Sequence, residues 1–129
     1  MLFVFSRVLI AQIFIISGLR KVLGYAGAVG YFKMLGMPLP GVLVPLTILV
    51  ELGGGLALAF GWRLRPVAIV LALFTLFSAL IGHQFWAAEG AQFGAQLNNF
   101  LKNVAMAGGF LGLIIAEAWR REQAGRLAL

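Results

Sequence analysis

The chain has 129 residues, of which 62% are hydrophobic and only 11% charged, and its mean hydropathy is +1.01. Soluble domains are about 25% charged, and a chain of this length cannot bury so much apolar surface, so the composition excludes a water-soluble fold and predicts a polytopic membrane protein. The net charge of +6 comes from basic residues at the ends of apolar segments, which indicates contact with lipid head groups and argues against nucleic acid as a partner.

The first apolar segment predicts a transmembrane helix over residues 2–23. Arg7 precedes its apolar run as in a signal peptide, but no small-residue cleavage signal follows, so an uncleaved helix is the better interpretation.

The next segment is a connector rich in glycine and tyrosine. Its middle, about residues 28–35, is predicted to lie along the membrane interface as a short helix. The segment Met37-Pro38-Leu39-Pro40-Gly41 then ends the connector, because it cannot continue a helix.

The rest of the chain predicts three more spans. A turn separates the second span from the third, and Pro66 is expected at the first helical position of the third. A polar loop over residues 87–97 leads to the fourth span, after which residues 120–129 form a tail. The three spans cover residues 42–60, 66–86 and 98–119.

Four spans place both termini on the same side of the membrane. Basic residues are somewhat more numerous in the second loop and the tail than on the opposite side, so the positive-inside rule predicts cytoplasmic termini. We therefore expect one all-α domain over residues 1–129, built as a bundle of four transmembrane helices. Small residues at every fourth position favour close helix packing, and they are Gly53, Ala57 and Gly61; Ser78 and Gly82; and Gly108, Gly112 and Ala116.

The chain contains no cysteine and one histidine, His83. The missing cysteines exclude disulfides, thiolate metal sites and iron–sulfur clusters, and a single histidine excludes a bis-histidine haem within one chain. His83 is also too solitary for a metal site, so no metal is expected. We expect no intrinsic cofactor, and a quinone is the one external cofactor considered.

Charged and amide side chains interrupt the apolar segments at depths where a charge costs about 2.5–3.5 kcal/mol. Glu51 lies near the middle of the second span, so it must be neutral or pair with a cation. Polar residues share one face of the first span and one face of the fourth. A four-helix bundle can gather them into one pocket in its outer half. The expected members are Arg7, Ser17, Lys21, Glu51, His83, Asn99, Lys102 and Asn103.

Four of these residues also have a plainer interpretation. Arg7 and Lys21 can extend to the head groups from the helix ends, and His83 can be an interfacial histidine. Glu51 can simply lock the helices together through an ion pair with Lys21, Lys102 or Arg7. The pocket is therefore a hypothesis about ligand binding, and no catalytic residue is assigned.

Four short motifs carry a family resemblance. In this order and spacing they resemble the DoxX family of small bacterial membrane proteins, over about residues 3–118. The resemblance implies a four-helix fold in the bacterial inner (plasma) membrane. It also implies a link to redox chemistry, since some members are similar to the small subunit of thiosulfate:quinone oxidoreductase and others associate with redox-defence proteins. The motifs are Ser17-Gly18-Leu19-Arg20-Lys21, Gly36-Met37-Pro38, Glu51-Leu52-Gly53-Gly54 and residues 102–109.

Three functions are compatible with these observations. The leading one is a redox-associated, quinone-linked membrane subunit, in which the pocket donates hydrogen bonds to a quinone head group and Glu51 relays protons. The second is a non-catalytic structural or assembly subunit of a larger membrane complex, and the third is a small transporter or channel formed by an oligomer. The expected partners are membrane lipid and other membrane or redox subunits. The ligand, the partner complex and the oligomeric state are left open by the sequence.

Overall fold

The computed structural model describes residues 1–127, and the side chains of residues 1–126, as helices joined by short turns. No strand occurs in this part of the chain, which confirms the all-α prediction. Four helical segments are long and apolar enough to cross a membrane, namely Leu2–Leu23, Pro40–Phe60, Leu64–Ala87 and Ala91–Arg126. The prediction of four spans is therefore confirmed; the first has the predicted bounds, and the other three differ at one or both ends. The cytoplasmic position of the termini stays a prediction.

The chain forms two compact units. The N-terminal unit is Val4–Trp62, and the C-terminal unit is Met1–Phe3 with Arg63–Leu129.

The N-terminal unit contains the first two spans and the short helix between them. Only Gly24 separates α1 from α2, so most of the predicted connector is helical. The second span begins at Pro40, two residues earlier than predicted, because proline is well suited to the first turn of a helix. The elements are α1 (Leu2–Leu23), α2 (Tyr25–Met34), α3 (Pro40–Ile48), a π-helical segment (Leu49–Gly53) and α4 (Gly54–Phe60).

Two glycines allow α1 to approach the second span closely. A Cβ atom at Gly18 would lie 2.6 Å from Leu52 Cγ and 3.2 Å from the Leu52 backbone nitrogen. A Cβ atom at Gly55 would lie 3.2 Å from the Ile15 backbone nitrogen. Any larger side chain at either position would therefore push the helices apart. By contrast, Gly53 belongs to the predicted repeat of small residues, but a Cβ atom there would contact only the Leu49 side chain, at 4.0 Å.

A proline inside α3 accounts for a contact between α2 and α3. Pro45 has no N–H group, so the carbonyl of Gly41, four residues earlier, has no donor from its own helix at that position. The Tyr25 hydroxyl donates a hydrogen bond to this carbonyl at 3.1 Å. The side chain thus replaces a missing backbone hydrogen bond and ties the start of α2 to the start of α3.

The C-terminal unit consists mainly of two long helices joined by a tight connection. Its elements are α5 (Leu64–Gly82), a 3₁₀ turn (Phe85–Ala87) and α6 (Ala91–Leu127). Three predictions about these ends are wrong. Residues 91–97 of the predicted loop and residues 120–127 of the predicted tail are helical, while the last two residues of that tail lie outside the described residues. Pro66 is the third residue of α5 rather than the first.

Ion pairs one helical turn apart explain why α6 continues into the predicted tail. Arg121 Nε donates to Glu117 Oε1 at 2.7 Å, and Arg126 Nη2 donates to Glu122 Oε1 at 2.6 Å. Pairs with this spacing stabilise a helix by a few tenths of a kcal/mol each, and no proline interrupts the segment. The helix therefore extends past Trp119.

Apolar residues form the buried face of this unit. On α5 the buried positions recur every three or four residues, as expected of a helix with one packed face. One of them is polar, and Thr75 satisfies its hydroxyl by donating to the Leu71 carbonyl at 2.7 Å. Among the buried residues are Leu64, Ala68, Leu71 and Ala79 on α5, and Ala107, Phe110 and Leu113 on α6.

The small residues predicted to mediate packing on α6 lie on its open side. Gly108 and Gly112 are exposed, and a Cβ atom at either position would have no heavy atom within 4 Å among the described residues. The close packing expected of this repeat is therefore absent in the part of the chain that the structure describes.

Candidate functional site

A hydrogen-bonded network of three polar side chains joins α1 to the π-helical segment. Lys21 Nζ lies 2.8 Å from Glu51 Oε1 and 2.9 Å from Glu51 Oε2, and it donates a further bond to Ser17 Oγ at 2.9 Å. The Ser17 hydroxyl in turn donates to Glu51 Oε1 at 3.0 Å. Of the three cations considered as partners of Glu51, the structure selects Lys21.

Local backbone geometry places these three groups together. Ser17 and Lys21 are four residues apart on α1, so they lie one above the other on the same helix face. Gly18, between them, lets the backbone of the second span approach. Glu51 lies in the centre of the π-helical segment Leu49–Gly53, and such segments are frequent at functional sites.

The network is almost completely buried on the carboxylate side. The Glu51 side chain is 7% exposed, whereas the Lys21 side chain is 22% exposed. A carboxylate held this far from water is stable only with a close cation and further hydrogen bonds, and Lys21 and Ser17 provide both. All three N–H donors of the Lys21 ammonium group are engaged by Ser17 and the two Glu51 oxygens.

An open groove lies beside this network, between α1 and α2. Its volume is about 780 Å³, within the range of small-molecule sites. Isoleucine and phenylalanine side chains give it an apolar surface, while Ser17 and Lys21 connect it to the buried Glu51. The residues around the groove are Gln12, Ile13, Ile16, Ser17, Arg20, Lys21, Gly24, Ala28, Tyr31 and Phe32.

Three of the groove's polar residues are absent from the pocket that the sequence predicts. Gln12, Arg20 and Tyr31 line it and make no side-chain hydrogen bond to another described residue. They can therefore donate hydrogen bonds to a ligand. The spacing of Gln12, Ile16 and Arg20 at every fourth residue is a signal that could have identified one wall. Tyr31 comes from α2, and only the turn at Gly24 brings that helix beside α1.

The eight residues of the predicted pocket divide equally between the two units. Arg7, Ser17, Lys21 and Glu51 belong to the N-terminal unit. Arg7 lies at the opposite end of α1 from Lys21, where a Cβ atom at Gly61 would lie 2.9 Å from Arg7 Cζ. The guanidinium group thus packs against the turn that ends the second span.

The other four predicted residues lie in the C-terminal unit and form no common network within it. His83 Nδ1 lies 3.1 Å from Gln96 Oε1, which links the end of α5 to the start of α6. Asn99 and Asn103 are half-buried, whereas Lys102 is exposed. The expectation that Lys102 faces inward is therefore wrong. The fourth span turns an apolar face inward, and that face includes Ala107 and Phe110.

An aromatic cluster fixes the connection between α5 and α6. The Phe85 ring lies 5.2 Å from the rings of Trp86 and Phe100 and 6.2 Å from that of Phe93, all in edge-to-face geometry. Such pairs contribute about 0.5–1.5 kcal/mol each beyond their buried area. This end of the unit is thus held mainly by aromatic packing.

The four apolar helices and the buried ion pair define a multi-pass membrane protein. The chain belongs to the DoxX family, since the model of that family matches residues 2–84. The match is shorter than the resemblance over residues 3–118 and ends near the end of the third span, at residue 84.

Two relatives extend the similarity to most of the chain. The inner membrane protein YphA of Escherichia coli K12 is 36% identical over 114 residues, which cover 88% of this chain and 81% of YphA. The inner membrane protein YqjF of the same organism is 41% identical over 110 residues, or 85% of this chain and 79% of YqjF. These similarities confirm the inner-membrane localisation.

A further relative has a name that refers to redox chemistry. CatD of Bacillus subtilis 168, provisionally named an oxidoreductase, is 36% identical over 75 residues, which cover 58% of this chain and 54% of CatD. No solved structure matches the chain.

Proposed function

We propose that this protein is a quinone-linked membrane subunit that binds a quinone head group in the groove between α1 and α2. The observation that carries the proposal is the position of the Ser17–Lys21–Glu51 network at the wall of an amphipathic groove. The provisional naming of CatD as an oxidoreductase supports the same class of function.

The residues of the groove fit the chemistry of a quinone. Its apolar ring and tail suit Ile13, Ile16 and Phe32, and its two carbonyl oxygens need hydrogen-bond donors. Arg20 and Tyr31 supply such donors. A bound quinone would accept two electrons and two protons on reduction, and a partner protein with its own redox centre would supply the electrons.

The buried network gives this chain a means to hold protons near the groove. The Ser17 hydroxyl accepts from Lys21 and donates to Glu51, so a continuous hydrogen-bonded path leads from the groove to the carboxylate. The Glu51 side chain is only 7% exposed, so a proton from the groove would reach it through Ser17 or Lys21.

Quinone binding to the purified protein tests the proposal. We expect saturable binding of a short-tailed quinone in lipid nanodiscs, weakened about tenfold or more by Arg20→Gln, because a hydrogen bond from a charged donor is lost. Lys33→Gln is the matched control, since Lys33 lies on α2 but outside the groove, and it should bind within about twofold of the unmodified protein. Absence of saturable binding, or equal weakening by both changes, would refute the proposal.

One observation favours a structural role for the network instead. Because the Lys21 donors are all engaged within the protein, the ion pair can lock α1 to the second span without any ligand. In that case, replacing the pair with Lys21→Met and Glu51→Gln together would change folding or complex yield and leave quinone affinity unaltered. A loss of quinone affinity in a folded double variant would favour the redox role.

A further inference from the structure

A second cleft, at one end of the C-terminal unit, is surrounded by arginines. It lies where α5 begins and where α6 leaves its apolar stretch, and its volume is about 290 Å³. Three arginines and a single glutamate contribute to it, so its formal charge is positive. The residues around it are Arg63, Arg65, Pro66, Glu117, Ala118 and Arg121.

The one acidic residue does not neutralise the cleft. Glu117 Oε1 accepts a hydrogen bond from Arg121 Nε at 2.7 Å. This bond leaves the two terminal amino groups of Arg121 without a hydrogen bond to any described residue. Glu117 thus holds the guanidinium group of Arg121 in place, and the Nη donors of Arg121 stay available. Arg65 likewise makes no ion pair with a described residue.

The start of α5 adds to the positive potential. The first backbone hydrogen bond of this helix runs from the Val67 N–H group to the Arg63 carbonyl, so the N–H groups of Leu64 and Arg65 have no partner within the helix. The end of a helix that exposes such groups carries a partial positive charge and favours an anion. The arginine side chains and the helix end therefore act in the same direction.

The depth of the cleft indicates what kind of anion reaches it. The 19 residues of α5 extend about 28 Å, close to the thickness of the hydrocarbon layer, so its first residues lie at head-group level. Trp119, next to the cleft on α6, is 64% exposed, as is typical of tryptophan at the membrane interface. The cleft is therefore at the height of lipid phosphates.

We propose that this cleft binds the phosphate group of an anionic membrane lipid. Arginine side chains bind phosphate oxygens with two parallel hydrogen bonds, and Arg65 and Arg121 have the free donors to do so. The site lies in the C-terminal unit, and none of its residues lines the groove of the proposed quinone site. The inference therefore does not depend on the proposed function.

Lipid retention measured by native mass spectrometry tests this site. Purified protein is mixed with equal amounts of phosphatidylglycerol and phosphatidylcholine in detergent. We expect preferential retention of phosphatidylglycerol, lowered about 25-fold by Arg65→Gln with Arg121→Gln, at about fivefold for each charge removed. Arg126→Gln is the matched control, because Arg126 is on the same helix, outside the cleft, and it should stay within about twofold.

Two further measurements test whether arginine rather than charge alone is needed, and whether a water-soluble phosphate competes with the lipid. The variant Arg65→Lys with Arg121→Lys retains the charges but loses the paired donors, so it should fold normally and show intermediate retention. Glycerol 3-phosphate at millimolar concentration should not displace the lipid. The proposal is overturned if Arg126→Gln lowers retention as much as the double variant, if the folded double variant retains phosphatidylglycerol fully, or if glycerol 3-phosphate alone empties the site.

Discussion

The two units of this protein hold their helices together in different ways. In the N-terminal unit, α1 contacts the second span through a buried ion pair flanked by Gly18 and Gly55. In the C-terminal unit, the buried faces of α5 and α6 are almost entirely apolar, and the hydroxyl of Thr75 is satisfied within its own helix. Lipid tails are as apolar as these side chains, so the second type of contact depends on close packing alone, whereas the first also has a strong electrostatic component.

The comparison predicts different responses to loss of a single side chain. Glu51→Ala should have the largest effect and destabilise the protein by about 3–5 kcal/mol, because it leaves the Lys21 ammonium group without its counter-charge. Unfolding in mixed micelles with increasing SDS measures this. The added change Lys21→Met should restore part of the loss. If the second change does not restore stability, the ion pair is not the main term in this contact.

The apolar contact should be less sensitive. Phe110 is fully buried, and Phe→Ala in a water-soluble core costs about 3–5 kcal/mol. In a membrane the side chain is surrounded by apolar groups before and after the helices separate, so the substitution loses little hydrophobic transfer energy. We therefore expect about 2 kcal/mol, mainly from lost packing, for Phe110→Ala in the same assay. Phe77→Ala is the control, since Phe77 is 61% exposed. A loss as large as that of Glu51→Ala would remove the proposed difference between the units.

Close backbone approach can be tested with one substitution at two places. Gly18→Ala would place a methyl group against Leu52 and should cost about 1–3 kcal/mol. Gly108→Ala meets no described atom within 4 Å and should change stability by less than about 0.5 kcal/mol. The intrinsic helix preference of alanine is common to both, so the difference between the two variants measures the contact. Equal values would show that α1 and the second span do not need a glycine.

The smallest expected effect concerns the hydrogen bond from Tyr25 to Gly41. Tyr25→Phe should cost about 1 kcal/mol, since the Gly41 carbonyl loses its donor. The cost should shrink when Pro45→Ala is also present, because alanine restores an N–H group at that position. A double-mutant cycle on thermal unfolding in detergent measures this coupling. Independent, additive effects would mean that the hydroxyl does not replace the missing backbone donor.

The sequence predicted the parts of the fold that depend on long runs of apolar residues, and it missed parts that depend on polar side-chain contacts or on backbone detail. The first span has the predicted bounds, because about 20 apolar residues in a row must form a helix in lipid. The predicted end of the fourth helix, at residue 119, was too early, because ion pairs at this end of α6 stabilise the helix past Trp119. The π-helical segment around Glu51 has no signature in the residue pattern.

The candidate site shows the same division. The sequence identified Ser17, Lys21 and Glu51 as groups that need partners, since charges in lipid must be paired. It could not choose among Lys21, Lys102 and Arg7, because all three are cations on apolar spans. It also grouped His83, Asn99, Lys102 and Asn103 with them. The groove between α1 and α2 was missed, because it depends on how α2 folds back after Gly24.

The sequence alone determined the membrane class, the four spans and the requirement that Glu51 be neutral or paired with a cation, and its short motifs indicated the family. The first three follow from the free energy of placing each residue in lipid or water, which depends on composition and spacing along the chain. Only the tertiary structure decided that Lys21 provides that charge, that Arg20 and Tyr31 border a groove beside it, and that Arg65 and Arg121 meet at a second cleft. Such pairings depend on the angle and register between helices, which are set by contacts at glycines and prolines far apart in the sequence.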